Sequence, residues 1–485
     1  MARSGQPPRV AIIGGGIAGL SAAYRLHELA AAREMPLEVA LFEASDRLGG
    51  PLESIRRDGF VIETGADSFL SEKPWALQLA ERLGLAGELI ATQEQFRKTY
   101  VVREGQLVEI PEGFSLLAPA LIAPMLRSPL FSWRGKLRIL IEPLIPRRRE
   151  DGDESLARFV ARRLGREVLE RVAQPLAGGI YTADPETLSI AATMPRFVEM
   201  ERRKGSLIRG MRAAARGRSA ETRGTSGARW SLFVSFKGGV AAIIDALAAR
   251  LAQSVRRRAR VIELNHRGND AESGVPRWRI RFADGAEVEA DAVVCAAPAY
   301  ALAPLLEPHN TQLAAALAGI RYASAATVAM AFRTADFPRL PRSFGFVVPI
   351  VENRRIIAGS FSSLKFAGRA PDGMILARVF IGGALQSEMM ALDEDAMIAA
   401  AREEFAALLG VAARPALVCV RRWPDSMPQY EVGHLARVAT IEREAAALKG
   451  FALAGAFMRG VGIPDCVHGG EAAAEAVFAS ITEGG

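Results

Sequence analysis

Cysteine is scarce in this chain of 485 residues, and Cys295, Cys419 and Cys466 lie far apart. An odd, scattered set excludes a disulfide framework and a clustered zinc site, and it predicts a reducing, cytoplasmic compartment. No apolar run reaches the ~18–20 residues that a membrane-spanning helix needs. The N-terminal sequence also lacks the apolar core and cleavage site of a secretory signal.

Charge alone does not identify a partner. The formal net charge is +7, which suits nucleic acid, an anionic membrane surface or an acidic substrate. Half of the residues are hydrophobic (50%), so disordered, collagen-like and coiled-coil classes are excluded. The length allows about two to four domains.

The first 43 residues contain the clearest pattern. A strand is predicted over Arg9–Ile13, followed by a glycine-rich turn, a helix over Leu20–Ala32 and a second strand over Leu37–Phe42. Glu43 ends the second strand, where an acid accepts hydrogen bonds from a ribose diol. This order predicts a Rossmann-like, doubly wound parallel sheet.

Gly14, Gly16 and Gly19 match the G-x-G-x-x-G fingerprint of dinucleotide sites. The first glycine permits the tight turn, the second lets the backbone approach a pyrophosphate, and the third allows the helix to pack against the strand. The helix N-terminus then offers free N–H groups to the phosphates. The motif predicts dinucleotide binding.

Two further segments favour a flavin over a nicotinamide. Asp46–Gly50 forms a second glycine turn with an arginine, as the longer flavin cofactor requires. Near the other end, Leu453–Ala456 and Arg459–Ile463 form a strand and a glycine-rich turn that can bring backbone amides to the ring. Together the two ends predict FAD.

The predicted organisation is an α/β protein in which the FAD-binding domain is discontinuous and interrupted by an inserted mixed-sheet substrate domain and a helical domain that faces either a membrane or the cavity. An Arg-, Gly- and Ser-rich segment is predicted to be a mobile basic loop. The predicted boundaries are 1–80, 230–300 and 420–485 for the FAD-binding domain, 81–200 for the helical and cavity segment, 201–229 for the loop, and 301–419 for the substrate-binding domain.

Nearly the whole chain resembles the FAD-dependent porphyrinogen oxidases, protoporphyrinogen oxidase and coproporphyrinogen III oxidase, of the flavin amine oxidase-like superfamily. The opening fingerprint and the second glycine turn carry the superfamily resemblance. The motifs that carry the closer resemblance are Glu63–Leu70, Ala177–Asp184, Leu188–Thr193, Pro428–Tyr430 with Gly433–His434, and Arg459–Cys466.

The resemblance implies a set of FAD contacts along the pyrophosphate, the ribose, the adenine and the flavin ring. Ala66 departs from the family because many relatives have proline there, and the paired glycines at 178 and 179 are a second departure. The implied contact residues are Gly14, Gly15, Gly16, Ile17, Ala18, Gly19, Glu43, Ala44, Arg47, Leu48, Gly49, Gly50, Gly65, Ala66, Asp67, Ser68, Val261, Ala456, Val461, Gly462 and Ile463.

The implied reaction removes six electrons from a porphyrinogen, with molecular oxygen as the final acceptor and hydrogen peroxide as its product, in haem biosynthesis. Such chemistry resides in the cofactor and asks little of acid–base side chains, so no catalytic residue is assigned. His27 is predicted to lie on a helix surface. His434 belongs to a family motif and is predicted to make a structural hydrogen bond.

A porphyrinogen is a flat apolar ring edged by carboxylates, so its site needs an apolar slot with cations at the rim. Lys73 and the pair Arg97 and Lys98 are the candidate cations, and each also fits a solvated surface position. By resemblance, Asp67 lies close to both substrate and flavin. The glycines Gly178 and Gly179 are predicted to line the cavity in a loop.

Several alternatives stay open. The substrate is either coproporphyrinogen III or protoporphyrinogen IX. Asp67 together with Lys73 resembles the coproporphyrinogen-type enzymes and slightly favours the first, whereas the segment from Met200 to Met211 and the end of the chain resemble the protoporphyrinogen type. Another flavin amine oxidase-like enzyme, an amine oxidase or a carotenoid-type desaturase, is the alternative function. A non-enzymatic protein of this fold is disfavoured because the glycine fingerprints are intact. Nucleic acid is disfavoured because the Arg-rich segment has no aromatic residue before Trp230.

The stretch from Leu116 to Ile145 alternates apolar clusters with arginine and lysine, and Arg147–Arg149 follows it. This pattern fits a basic surface resting on anionic lipid, at the inner face of the cell membrane, or a helical lid over the cavity. Hand-over of the product to the next haem-pathway enzyme and a homodimer are further hypotheses.

Overall fold

A computed structural model describes residues 7–115, 117–150, 152–221, 232–269, 276–340 and 342–482. The fold is mixed α/β with several separate sheets. The longer helices are Ile17–Ala32, Trp75–Arg82, Trp133–Leu140, Leu156–Leu164, Gln174–Tyr181, Pro195–Lys204, Leu207–Glu221, Ala242–Arg250, Ala299–Leu306, Thr311–Ala318, Glu394–Leu409, His434–Ala446 and Ile463–Thr482. Shorter ones include Ile122–Arg127, Arg166–Val168, Ile190–Thr193 and Ser362–Lys365, and a π-helical turn covers Leu169–Ala173.

A five-stranded sheet, parallel throughout, forms the core of the predicted dinucleotide domain. Its central strand Arg9–Ile13 lies between Glu38–Phe42 and Ala292–Cys295, as the sequence predicted for the first two strands. The outer strands are Val255–Arg256 and Phe451–Leu453. The sheet is therefore built from segments at both ends and in the middle of the chain.

Helices cover both faces of this sheet. The helix Ile17–Ala32 packs on the last helix, and a Cβ at Gly470 would overlap the Ala18 carbonyl oxygen, so glycine is required at this contact. Apolar side chains of Ala299–Leu306 and Thr311–Ala318 cover the other face. The last helix begins at Ile463, the residue that ends the predicted glycine-rich turn.

A seven-stranded sheet forms the second layer of the fold. It is antiparallel except where Gly345–Val347 runs parallel to Thr99–Arg103. The strand Thr99–Arg103 and its neighbour Gln106–Glu109 belong to the segment 81–200, which was predicted to be helical and to line the cavity. The strand order is Leu417–Pro428, Tyr322–Arg333, Met374–Gly382, Ala358–Phe361, Gly345–Val347, Thr99–Arg103 and Gln106–Glu109.

Smaller sheets connect the two layers. One hairpin pairs Ser54–Arg57 with Phe60–Glu63, and another pairs Phe114–Ser115 with Ala118–Pro119. The other two have three strands each: Phe69–Leu70, Phe233–Phe236 and Leu89–Ala91 in one, and Val261–Asn269, Pro276–Phe282 and Glu287–Ala290 in the other.

The prediction of a basic loop over 201–229 is wrong for its described part. Residues 195–204 and 207–221 are helical, with the left-handed Gly205 between them. Arginine and alanine are good helix formers, and the buried Glu142 carboxylate accepts the Leu207 and Ile208 N–H groups at the start of the second helix. Residues 222–229 lie outside the described residues.

A buried ion pair organises the helical region. Arg163 and Glu142 contact each other with both side chains fully buried, and Glu142 also accepts the Ser206 hydroxyl. Within the described ranges, no helix combines the length and the apolar character needed to cross a membrane.

Candidate functional site

The first glycine turn lies where the central strand meets its neighbour. Gly14 has φ +112°, and a Cβ there would lie 2.8 Å from Ala296 backbone atoms, so this position requires glycine. A Cβ at Gly19 would overlap the Gly14 carbonyl oxygen. These two glycines fix the turn and the close approach of the helix.

Gly16 differs from its neighbours because a Cβ there would meet no atom within 4 Å. The helix begins at the next residue, Ile17, with no side-chain cap and no acidic residue in its first turn. Its first N–H groups, of Ile17, Ala18 and Gly19, therefore face an open space with the positive end of the helix dipole. This cradle fits a pyrophosphate.

Glu43 lies beside that cradle at the end of its strand. Its two carboxylate oxygens accept the N–H groups of Gly15 at 2.7 Å and Ser45 at 2.8 Å. The segment that leads to Val261 runs alongside, since Ala259 donates its N–H to the Glu43 carbonyl. The predicted ribose and adenine contacts thus meet at one edge of the sheet.

The second glycine turn contacts the first. Gly49 donates its N–H to the Gly15 carbonyl at 2.8 Å. The Arg47 guanidinium donates to the carbonyls of Leu48, Gly50 and Leu52, so it shapes its own turn. Leu48 is buried, and Ala44 directly follows Glu43 in the loop before this turn.

The segment 65–68 extends this cradle. A Cβ at Gly65 would overlap the Pro51 carbonyl oxygen, so the segment lies directly against the second glycine turn. Ala66 is exposed, and the Ser68 hydroxyl donates to the Asp67 carboxylate at 2.7 Å.

Asp67 is the centre of a buried charge cluster. Its two oxygens accept from Lys365 Nζ at 2.8 Å and Arg378 Nη2 at 2.6 Å. Burial alone would raise the pKa of Asp67, but the two cations and the hydrogen bonds of Lys365 and Ser68 outweigh it and hold the pKa well below its usual range. Asp67 is therefore ionised at any working pH.

Arg378 also fixes the backbone of the 65–68 segment. Its guanidinium donates to the carbonyls of Glu63 and Gly65, at 3.0 and 2.8 Å, and is almost fully buried. Because these bonds hold both ends of the loop before Asp67, Arg378 ties that loop to the seven-stranded sheet.

A second network missed by sequence reasoning surrounds Trp423. Its indole N–H donates to the Thr64 carbonyl at 2.8 Å, and the guanidinium groups of Arg47 and Arg421 lie 5.7 and 5.1 Å from its ring centre. Glu53 pairs with both arginines. The network joins the second glycine turn to the seven-stranded sheet.

The C-terminal turn completes the cradle. The Tyr430 hydroxyl donates to the Ala456 carbonyl, and Val461 packs at the edge of the helical core that contains Tyr430. Gly462 precedes Ile463, the first residue of the last helix, and a Cβ at Gly462 would lie 2.9 Å from Asp465. The Asp465 carboxylate therefore lies against the backbone of this turn.

All three predicted rim cations are ion-paired. Lys73 Nζ lies 2.6 Å from Asp465, Lys98 Nζ lies 2.9 Å from Glu109, and Arg97 lies 3.9 Å from Glu94. Lys73 is the one that reaches the C-terminal turn.

The predicted loop around Gly178 and Gly179 is wrong in its local structure, because both lie in the helix Gln174–Tyr181. A Cβ at either would be 3.6 Å from its nearest neighbour, so helix geometry accepts these glycines without requiring them. The prediction for His434 is confirmed: its buried ring donates to the Met458 carbonyl at 2.8 Å. His27 is exposed on its helix, as predicted.

The comparisons with known proteins agree with this geometry. A family model described as flavin containing amine oxidoreductase matches residues 17–478. The chain is 32% identical to coproporphyrinogen III oxidase of Bacillus subtilis, over 96% of each chain. It is 34% identical to coproporphyrinogen III oxidase of Propionibacterium freudenreichii, over 96% of this chain and 90% of that one.

A solved structure gives the same result. A crystal structure from Exiguobacterium sp. 255-15, provisionally described as a protoporphyrinogen oxidase, superposes with a TM-score of 0.84 and 28% identity, over 97% of this chain and 99% of that one. FAD is the cofactor that the family and the two-turn cradle imply. The chain belongs to the flavin containing amine oxidoreductase family, among its porphyrinogen oxidases.

Proposed function

We propose that this protein oxidises coproporphyrinogen III to coproporphyrin III in haem biosynthesis, with protoporphyrinogen IX as the competing substrate. The observation that carries the proposal is the position of Asp67. It lies in a segment packed on the second glycine turn, and the cations of Lys365 and Arg378 hold it. The cations beside the predicted flavin contacts suit a ring that is edged by carboxylates.

In this proposal the residues of the chain bind the cofactor and orient the substrate. The first glycine turn and the N-terminus of the helix Ile17–Ala32 hold the pyrophosphate, Glu43 the ribose, and Val461–Ile463 the ring. Bound FAD supplies the two-electron oxidation of carbon. Asp67 keeps its charge throughout, so we assign it to orientation and not to proton transfer.

The reaction balances with oxygen as the acceptor. A porphyrinogen loses six electrons and six protons in becoming a porphyrin, in three two-electron oxidations. Three molecules of oxygen accept the six electrons and six protons and become three molecules of hydrogen peroxide. We propose oxygen as the acceptor because the overall reaction then needs no other oxidant.

The deciding experiment gives the purified FAD-loaded protein coproporphyrinogen III and protoporphyrinogen IX in air and follows porphyrin fluorescence and peroxide. We expect faster oxidation of coproporphyrinogen III. A faster signal with protoporphyrinogen IX would reverse the substrate assignment. Silence with both substrates would overturn the proposed function and favour an amine oxidase or desaturase.

We also propose that one face of the helical region contacts an anionic membrane surface. Large apolar side chains concentrate there with between 40% and 80% of their surface exposed, and Arg127, Arg134 and Lys136 lie among them. The residues of this apolar face are Leu121, Leu126, Trp133, Leu137, Leu140, Ile141 and Leu144. An apolar product would leave the enzyme near lipid or near the next enzyme of the pathway.

A further inference from the structure

Lys365 occupies an unusual position at the edge of the Asp67 cluster. Its Nζ donates to Asp67 at 2.8 Å and to the Ser68 hydroxyl at 2.9 Å. An ammonium group has three N–H donors, so one remains for a further acceptor. The side chain keeps 15% of its surface exposed, whereas that of Arg378 keeps 3%.

The cluster around Lys365 carries an excess of positive charge. Its cations are Lys365, Arg369 and Arg378, and its carboxylates are Asp67 and Glu63, which lies 3.5 Å from Arg369. Burial raises the pKa of Glu63, which can only increase the excess. An uncompensated buried cation is costly, so the cluster favours an added anion.

Two aromatic rings also flank Lys365. Its Nζ lies 5.3 Å from the ring centre of Phe233 and 5.4 Å from that of Phe366. Phe366 is buried, but 37% of Phe233 is exposed. Phe233 also pairs with Leu70 in the strand that directly follows the 65–68 segment. A partly exposed aromatic residue therefore lies next to a partly exposed lysine, close to the predicted flavin contacts.

We propose that Lys365 binds a carboxylate of the porphyrinogen and is a specificity-determining residue. The inference rests on the proposed function and names a group of the chain that meets the substrate. Arg378 does not fit this role because only 3% of its side chain is exposed. Lys73 is paired with both oxygens of Asp465. Of these three cations, Lys365 is the one that combines partial exposure, a spare donor and an aromatic neighbour.

The test compares coproporphyrin III with its tetramethyl ester, which has the same ring and no carboxylates. Binding of each to the FAD-loaded protein is measured by porphyrin fluorescence anisotropy, in one detergent, for the wild type, K365M, K365R and K365Q. Lys449 is exposed at the amino end of a parallel strand, opposite the edge that carries the glycine turn, so K449M is the matched control.

We expect K365M to weaken coproporphyrin III binding about tenfold, through loss of one charge-assisted hydrogen bond, and K365R by less than about threefold. The ester should bind the wild type and K365M within about twofold of each other, since it offers Lys365 no carboxylate. K449M should bind both ligands as the wild type does. FAD absorbance and thermal unfolding check that each variant is folded, and K365Q replaces K365M if the latter loses FAD.

Two results would overturn the inference. Equal weakening of acid and ester would show that Lys365 only supports the local structure, and unchanged acid binding in K365M would show that it does not contact the substrate. If the wild type binds the acid through Lys365 but oxidises no porphyrinogen, the proposed function fails and the Lys365 contact stands. If the wild type oxidises coproporphyrinogen III while K365M binds the acid normally, only the Lys365 inference fails.

Discussion

Lys73 and Asp465 join two distant parts of the site. The ammonium lies 2.6 and 2.7 Å from the two carboxylate oxygens, across 392 residues of sequence. The pair connects the chain just after the Asp67 cluster to the first turn of the last helix. Asp465 in turn lies against Gly460 and Gly462, so the lysine supports the turn that we assign to the flavin ring.

Loss of the Lys73–Asp465 pair should affect FAD binding more than stability. Lys73 is 40% exposed, so solvent screens its interaction and K73M should lower the free energy of unfolding by less than about 1 kcal/mol. Because Asp465 then loses its cation beside the flavin turn, FAD affinity should fall while KM for coproporphyrinogen III changes less than about twofold. A large rise in KM with unchanged FAD affinity would instead return Lys73 to the substrate rim.

The two glycines of the first turn should respond differently to the same added methyl group. In G19A the Cβ overlaps the Gly14 carbonyl oxygen, so helix and strand must separate and the protein should unfold at a lower temperature even without FAD. In G16A the Cβ meets no protein atom, so the apoprotein should unfold as the wild type does.

FAD binding separates the two glycines further. G16A should weaken FAD binding roughly a hundredfold, since the methyl group fills the cradle that the pyrophosphate needs, a loss of about 2.7 kcal/mol by the standard conversion. Isothermal titration of the apoprotein measures this. Normal FAD affinity in G16A would show that the pyrophosphate lies elsewhere.

Asp67 should make stability depend on acid pH. A carboxylate with a lowered folded-state pKa stabilises the protein above the unfolded-state value of about 3.9, and this contribution is lost as the pH falls further. D67N leaves Lys365 and the buried Arg378 without their anion, so at pH 7 it should cost roughly 3 kcal/mol. The difference from the wild type should narrow as the pH falls below about 4. Urea unfolding across pH 3–7 measures it, and a constant gap would contradict the assignment.

The buried Arg163–Glu142 pair gives a stability prediction remote from the cofactor. E142Q removes the fully buried partner of Arg163, which keeps the longer 3.5 Å contact with Glu201, and it weakens the cap of the helix Leu207–Glu221. The change should cost roughly 3 kcal/mol. E170Q breaks the surface pair with Arg166 and should cost less than about 0.5 kcal/mol. Denaturant unfolding compares them; similar costs would mean that burial does not control the effect.

Membrane contact is tested on the apolar face. Leu144 is 80% exposed and Trp133 is 69% exposed, so the double variant W133E/L144E should bind phosphatidylglycerol vesicles at least about tenfold more weakly. The control is I262E, which changes an exposed apolar residue of the strand Val261–Asn269, outside the apolar face. Equal sedimentation of all three proteins with vesicles would remove the membrane proposal.

The sequence predicted the features that depend on local pattern. The strand, the glycine turn and the helix within the first 32 residues can be recognised from the sequence alone. Turn geometry and helix packing restrict which positions tolerate a Cβ, so glycines recur at a fixed spacing. Asp67 was identified through a family motif, but Lys365 and Arg378 approach it from 298 and 311 residues away. Spacing carries no information about such contacts.

The error at 201–229 has a similar origin. Glycine and serine in that segment favoured a loop, whereas the second helix is capped by Glu142, which lies 65 residues before Leu207. Trp423 was missed because its partner is a backbone carbonyl, and any residue can supply a carbonyl. Contacts of this kind depend on tertiary packing, which sequence patterns do not record.

The order of strands in the five-stranded sheet constrains how the protein is made. In this sheet the edge strand Phe451–Leu453 is synthesised more than 400 residues after the central strand Arg9–Ile13. Until then the strand Ala292–Cys295, which is wholly buried in the finished fold, has an unpaired edge. During synthesis this apolar strand edge therefore stays uncovered until the edge strand is made. Proteins with such an exposed edge aggregate or recruit chaperones.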